Sequence, residues 1–159
     1  MAIFSNGSGT NIDLELTPKG TGRVEAIGPT AIQEVFEKAT VSATAATGTI
    51  NYDVMTQAVL YYTSNASGNW TLNIRGDAYN SLDSIMSTGE SMTIAHLVTM
   101  TTAYYNSAVQ VDGSSVTPEW QGGSAPTGGN ANSVDVYSYT VIKTGSATFK
   151  VFASQTQFA

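Results

Sequence analysis

Val134-Asp-Val-Tyr-Ser-Tyr-Thr-Val-Ile142, the polar tetrad Lys143-Thr-Gly-Ser146 and Ala147-Thr-Phe-Lys-Val-Phe-Ala153 read in succession as a β-hairpin. Both runs are rich in Val, Ile, Thr, Tyr and Phe, which suit a pleated, half-buried surface. The tetrad between them holds Gly145, which can take φ > 0 without strain. Strand side chains alternate faces, so Ala147, Phe149, Val151 and Ala153 share one side and Thr148, Lys150 and Phe152 the other. Phe152 lies on the nominally wet side, and Asp135, Tyr137 and Tyr139 of the first run are assigned to that same face. It therefore reads as partly covered, by a second sheet or by another subunit.

Upstream of the hairpin the pattern stays β. Ala39, Val41 and Ala43 alternate with polar neighbours; Gly48 to Val54 follows; Gln57 to Thr63 is apolar on both faces, as a central strand would be; Trp70, Leu72 and Ile74 alternate with Thr71 and Asn73. Leu82, Ile85 and Met86 fall at i, i+3 and i+4 behind Ser81 or Asn80 and ahead of Gly89, which predicts one short helix. Ser91 to Met100 puts Met92, Ile94, His96, Val98 and Met100 on one face. Tyr104 to Val111 is a further strand, Asp112-Gly113 a turn, and Gln121 to Asn132 a loop. Turn signals recur at no fixed period, so no solenoid repeat is expected. Many short strands with one small helix predict an all-β fold, an antiparallel β-sandwich of jelly-roll-like type.

Residues 1–35 differ in texture and are expected to form an extended amino-terminal arm with short strands ahead of a sandwich domain at 36–159. Ile12-Asp-Leu-Glu-Leu16 alternates, Thr17 to Gly22 turns, and Arg23 to Ile27 resumes an extended pattern. Two short strands alone are marginal in water, so Ile12, Leu14, Leu16 and Val24 need a partner surface, which makes them the expected assembly contacts. Ala31 to Lys38 suits either a short helix or a lead-in strand.

The chain has 159 residues, of which 42% are hydrophobic and only 11% charged. Globular proteins carry about 25% charged residues, so the polar load here falls on Ser, Thr, Asn and Gly, a surface suited to close packing against neighbours. A net charge of -6 with no basic cluster argues against nucleic acid. No cysteine is present, which excludes disulfides, thiol nucleophiles and Cys-based zinc sites. No stretch has the basic start and apolar run of a secretory signal, or the length to insert in a membrane, so the expectation is a soluble protein without a classical export signal.

His96 is the sole histidine. It lies on an alternating strand face with no nucleophile motif nearby, and reads as structural. The twelve acids show no EF-hand spacing, and no metal, cofactor or catalytic residue is expected. The aromatics that flank loops, Tyr104, Tyr105 and Trp120, are the surface candidates for contact with a partner or a glycan, because Tyr and Trp supply contact area at low entropic cost.

Three stretches carry a resemblance: Asp112-Gly-Ser-Ser-Val-Thr-Pro-Glu-Trp-Gln-Gly-Gly123, Ala125-Pro-Thr-Gly-Gly-Asn-Ala131, and Ile142 through Ala159. They resemble the carboxy-terminal domain of virion structural and tail-fibre-like proteins of marine tailed phages, especially those of cyanobacteria. Asn11 to Val24 is similar to the short shaft-type segment those proteins carry ahead of that domain. The resemblance implies a non-enzymatic, homo-oligomeric and trimeric virion component, assembled in the host cytoplasm. It would be a short tail fibre or fibre-like appendage anchored by its arm to other virion proteins of the tail, baseplate or capsid. Two other roles are a capsid decoration or cement protein, and a module that binds host polysaccharide through Tyr104, Tyr105 and Trp120.

Overall fold

The computed structural model describes residues 15–158. The chain divides into two units, Met1–Val35 and Phe36–Ala159, and every strand and helix among the described residues belongs to the second. Residues 15–38 contain a turn, closed by the Gly22 N–H donating to the Lys19 carbonyl at 3.1 Å, and no strand or helix. The strands expected at Leu16 and at Arg23–Ile27, and the helix or strand over Ala31–Lys38, are therefore not formed in the single chain. Leu16 and Val24 stand exposed; Ile12 and Leu14 lie outside the described residues. Short apolar stretches fold only where they can bury a face, and Leu16 and Val24 do not bury theirs.

The second unit contains β1 (Ala39–Ala45), β2 (Gly48–Asp53), β3 (Val59–Ser64), β4 (Trp70–Arg75), α1 (Leu82–Ile85) and β5 (Ser91–Met100). These are followed by β6 (Asn106–Val111), β7 (Ser114–Val116), β8 (Glu119–Trp120), β9 (Ser133–Gly145) and β10 (Thr148–Phe158). One sheet, A, has the order β1-β3-β5-β9-β10-β8, and the other, B, the order β2-β4-β6-β7. Both are mixed. β1, β3 and β5 are mutually parallel neighbours, as are β2, β4 and β6, and β8 runs parallel to β10. Only β5–β9, β9–β10 and β6–β7 are antiparallel. All-β is right; the antiparallel expectation is corrected, and the strand order lends no support to a jelly roll.

From β1 to β6 the chain alternates between the sheets, laying down three parallel coils, β1–β2, β3–β4 and β5–β6. The coils differ in length. Ala39 pairs with Val59, but Val59 pairs with Ala95, because the connection from the second coil to the third carries α1. A winding with unequal coils leaves no fixed period to find. In sheet B the parallel register stacks like on like: Ile50, Leu72 and Val109 form one row, Tyr52, Ile74 and Val111 a second. Across the shared core these rows meet Leu60, Ile94, Val98, Tyr137, Tyr139 and Val151 of sheet A, all buried.

The closing hairpin forms, but with a tighter turn. Gly145 ends β9, Ser146 and Ala147 make the loop, and Ala147 rather than Gly145 has the left-handed φ, 46°. Thr148 pairs with Gly145 and the next residue, Phe149, with Lys143, so Thr144 is bulged out of the ladder. The bulge shifts the parity of β9 relative to β10. Val151 and Ala153 face the core and Thr148, Lys150 and Phe152 face out, as alternation predicts. Asp135, Tyr137 and Tyr139, however, line the buried face with Val151 and Ala153, correcting their placement beside Phe152.

α1 is one turn long. Ser81 caps it by accepting the Ser84 N–H at 3.1 Å, and Asp112 accepts from Leu82 N at 2.6 Å and Asp83 N at 2.9 Å with its two carboxylate oxygens. Asp112 can do so because the two-residue loop Asp112-Gly113 takes φ of 50° and 78°, the primed geometry that Asp-Gly favours between antiparallel strands.

Candidate functional site

Sheet A turns one face to the core and the other outward, and the register aligns the outward side chains into rows. Val41 pairs with Tyr61, Tyr61 with Leu97, Leu97 with Val136, and Val136 with Thr156. Beside this row run Ala39, Val59, Ala95, Ser138 and Ser154. Val41 is 67% exposed, Phe152 45% and Phe158 53%. Among the described residues the outward face of sheet A carries two charges, Lys150 and Glu119, and they pair with each other beside the β8 edge. The result is a broad sheet face of hydroxyls, methyls and rings with no net charge.

Trp120 stands on β8 at that edge, its ring edge-on to Tyr139 with centroids 6.2 Å apart. It lines three depressions, two of them against β10. One, of about 460 Å³, opens toward Glu119, Thr140, Phe152 and Ser154; the other, of about 450 Å³, is bordered by Gln121, Ser124, Pro126, Gln155 and Gln157. An aromatic face beside side-chain amides and hydroxyls can stack on and hydrogen-bond a neutral polar ligand. Tyr104 and Tyr105 lead into β6 in sheet B and line neither depression. The Tyr105 carbonyl accepts from Trp70 N at 3.3 Å and its N–H donates to Asn69 Oδ1 at 3.1 Å, while Tyr104 packs on the core. Gln155 and Gln157 were not singled out from sequence. The signal was the Gln-Thr-Gln alternation at the end of β10, which puts both amides on one side of the strand.

Behind Trp120 the core holds a polar chain. Tyr139 Oη donates to Asn106 Oδ1 at 3.0 Å, and Asn106 N donates to Tyr137 Oη at 3.4 Å. Gln155 Nε2 reaches Tyr137 Oη at 3.0 Å, Asp135 Oδ2 at 2.7 Å and the Gly128 carbonyl at 3.1 Å. Asp135 is fully buried; burial pushes its carboxyl above the usual range, against the opposing pull of the Gln155 and Asn130 hydrogen bonds. Burial likewise raises both tyrosines. Each of these groups favours its neutral form, as expected of a network that braces the β9–β10 pair.

His96 sits between Tyr62 and Trp70, edge-to-face with both at 5.4 and 5.9 Å. It is fully buried, neither ring nitrogen has a hydrogen-bond partner among the described residues, and burial pushes its pKa down to about 3. An imidazole with no exposed surface, enclosed by aromatic rings, does not meet a substrate directly. Among the described residues no three His, Asp or Glu side chains gather as a metal site, and no helix is long and apolar enough to cross a membrane.

No family model, curated protein or solved structure matches the chain.

Proposed function

We propose that this chain is a non-enzymatic structural protein of a tailed-phage virion, a short tail fibre or fibre-like surface appendage that works as a homo-oligomer. The observation that carries the assembly half of this reading is the outward face of sheet A, wide and without net charge on a chain whose net charge is -6. Such a face is suited to burial against other subunits, because its only charges are one ion pair beside the β8 edge and the rest of it has none to desolvate. The exposed Leu16, Val24, Ile27 and Phe36 support the same reading, since a run of bare apolar side chains favours a covering partner. The virion half rests on the resemblance of the closing third and of the opening segment. Mass spectrometry of purified particles of a phage encoding this chain, with immunogold labelling, tests it. Label on the tail supports the fibre reading, label on the head moves the chain to capsid decoration, and absence from particles sinks both.

A second reading, a module that binds host polysaccharide, is favoured by Trp120 between its two amide- and hydroxyl-lined depressions. Its test is glycan-array binding that is lost in Trp120→Ala; a blank array with the wild-type chain removes it.

A further inference from the structure

The two ends of the parallel winding are finished differently. At one end sheet B stops at the three-residue β7 and sheet A continues through the β9–β10 hairpin to the two-residue β8, so both sheets end on short strands. At the other end both sheets stop on the first coil, with β1 and β2 as full-length edges. β1 is guarded: its register breaks between Ser42 and Ala45, and Ser42 Oγ accepts the Thr44 N–H at 3.2 Å. β2 is not. Its six residues pair with β4 in unbroken register from Gly48↔Trp70 to Asp53↔Arg75, so its other edge is a straight run without bulge, proline or lysine. Natural sheets seldom leave such an edge bare.

The side chains above that edge form an unfinished ladder. Asn51, Asn73 and Gln110 align across β2, β4 and β6. Asn73 accepts from Gly113 N at 2.8 Å and donates to Asn51 Oδ1 at 2.9 Å. Asn51 is exposed at the open end of this row, and its amide N–H groups have no acceptor among the described residues. One more strand would continue the row.

We propose that the occupant is a second copy of this chain, with β2 pairing antiparallel to β2 across a two-fold axis that also brings the two β1 edges together. The geometry selects a copy, because the first coil ends in two strands on two sheets. An identical first coil, turned about an axis along the sheet-to-sheet direction, presents two strands at the same separation, each antiparallel to its counterpart. Charge agrees. β1 has no charged residue, and the one in β2, Asp53, is neutralised by Arg75 at 2.6 Å, so two chains of net charge -6 can meet here without opposing bare carboxylates.

This goes beyond the virion reading and does not depend on it. The test is the mass of the full chain by light scattering, with Thr49, exposed on β2, changed to Lys or to Glu. The wild type is expected at twice 16.6 kDa, and Thr49→Lys and Thr49→Glu each at 16.6 kDa where the wild type is paired, a loss of at least tenfold in affinity. Mixing the two variants should restore the pair, because the opposed charges then attract. Amide exchange on the wild type needs no substitution: the Gly48–Asp53 amides should slow as concentration rises. A monomeric wild type, a three-copy mass, variants that pair as well as the wild type, or concentration-independent exchange at β2 would overturn the proposal. A chain present in virions with a three-copy mass in solution would do so while leaving the functional reading intact.

Discussion

Lys143 Nζ lies 2.7 Å from Asp83 Oδ1, and from the same position it donates to the carbonyls of Asp83 at 2.6 Å and Met86 at 2.9 Å. Asp83 Oδ1 in turn accepts the Ala147 N–H at 2.7 Å, so one carboxylate holds both the buried ammonium of β9 and the left-handed residue of the closing turn. The Lys143 hydrogen bond, followed by that of Ala147, holds the Asp83 carboxyl below the usual carboxylate range.

Replacing Lys143 by Met keeps the stem and removes all three donations. Buried ion pairs often exchange for apolar groups at little cost, but here two carbonyls lose their partner as well, so Lys143→Met should cost about 1–3 kcal/mol. Urea unfolding checks it. A midpoint equal to the wild type would show that the ammonium contributes nothing net.

Gly129 has no room for a methyl group: a Cβ there would fall 2.2 Å from the Tyr104 carbonyl oxygen and 2.7 Å from Met100 Sδ. At Gly128 the nearest atom would be 3.9 Å away. Gly129→Ala should therefore lose about 2 kcal/mol or more while Gly128→Ala stays close to the wild type. Thermal melts of the two variants side by side decide the point, and equal melting temperatures would count against the close approach of this loop to Asp135.

His96 makes stability depend on pH. Its folded pKa, about 3, lies below the ordinary 6.5, so the unfolded chain takes up a proton first. The contribution is complete above pH 6.5 and declines as pH falls toward 3, amounting to about 2 kcal/mol lost by pH 5. His96→Phe, which preserves a ring between Tyr62 and Trp70, should flatten the curve between pH 7 and 5. Comparing the two proteins cancels the titration of Asp135, whose raised pKa acts with the opposite sign. Parallel curves would sink the assignment.

Asp112 should show a graded series. Asp112→Asn tolerates the left-handed φ and keeps one acceptor for the Leu82 and Asp83 N–H groups, costing about 1 kcal/mol; Asp112→Ala loses both acceptors and strains the turn, costing about 2–3 kcal/mol. Chemical denaturation of both reads the order directly, and an inverted order would show that neither capping nor turn strain sets the cost.

What the sequence revealed follows from what alternation encodes. Period-two patterning reports which side chains share a face, and it placed Val151 and Ala153 inside and Phe152 outside. It says nothing about which strand lies alongside, so the parallel coils were invisible, and their unequal lengths removed the repeat that would have betrayed them. The error over Asp135, Tyr137 and Tyr139 has one cause: face parity was carried across a four-residue turn, whereas the chain uses a two-residue loop and a bulge at Thr144. The Trp120 corner was half legible. The ring was singled out by residue type, but its amide neighbours arrive from β10 and from the loop after β8, a meeting that only the tertiary fold creates.

The alternating path of β1 to β6 bears on how the chain is made. Each parallel pairing waits for a full coil of intervening chain, a slow closure, whereas β9 and β10 zip from a two-residue loop. The hairpin is synthesised after the coils, yet β5 relies on β9 for its second neighbour in sheet A. The second neighbour of β5, and with it the middle of sheet A, is therefore completed only once the late hairpin has been made.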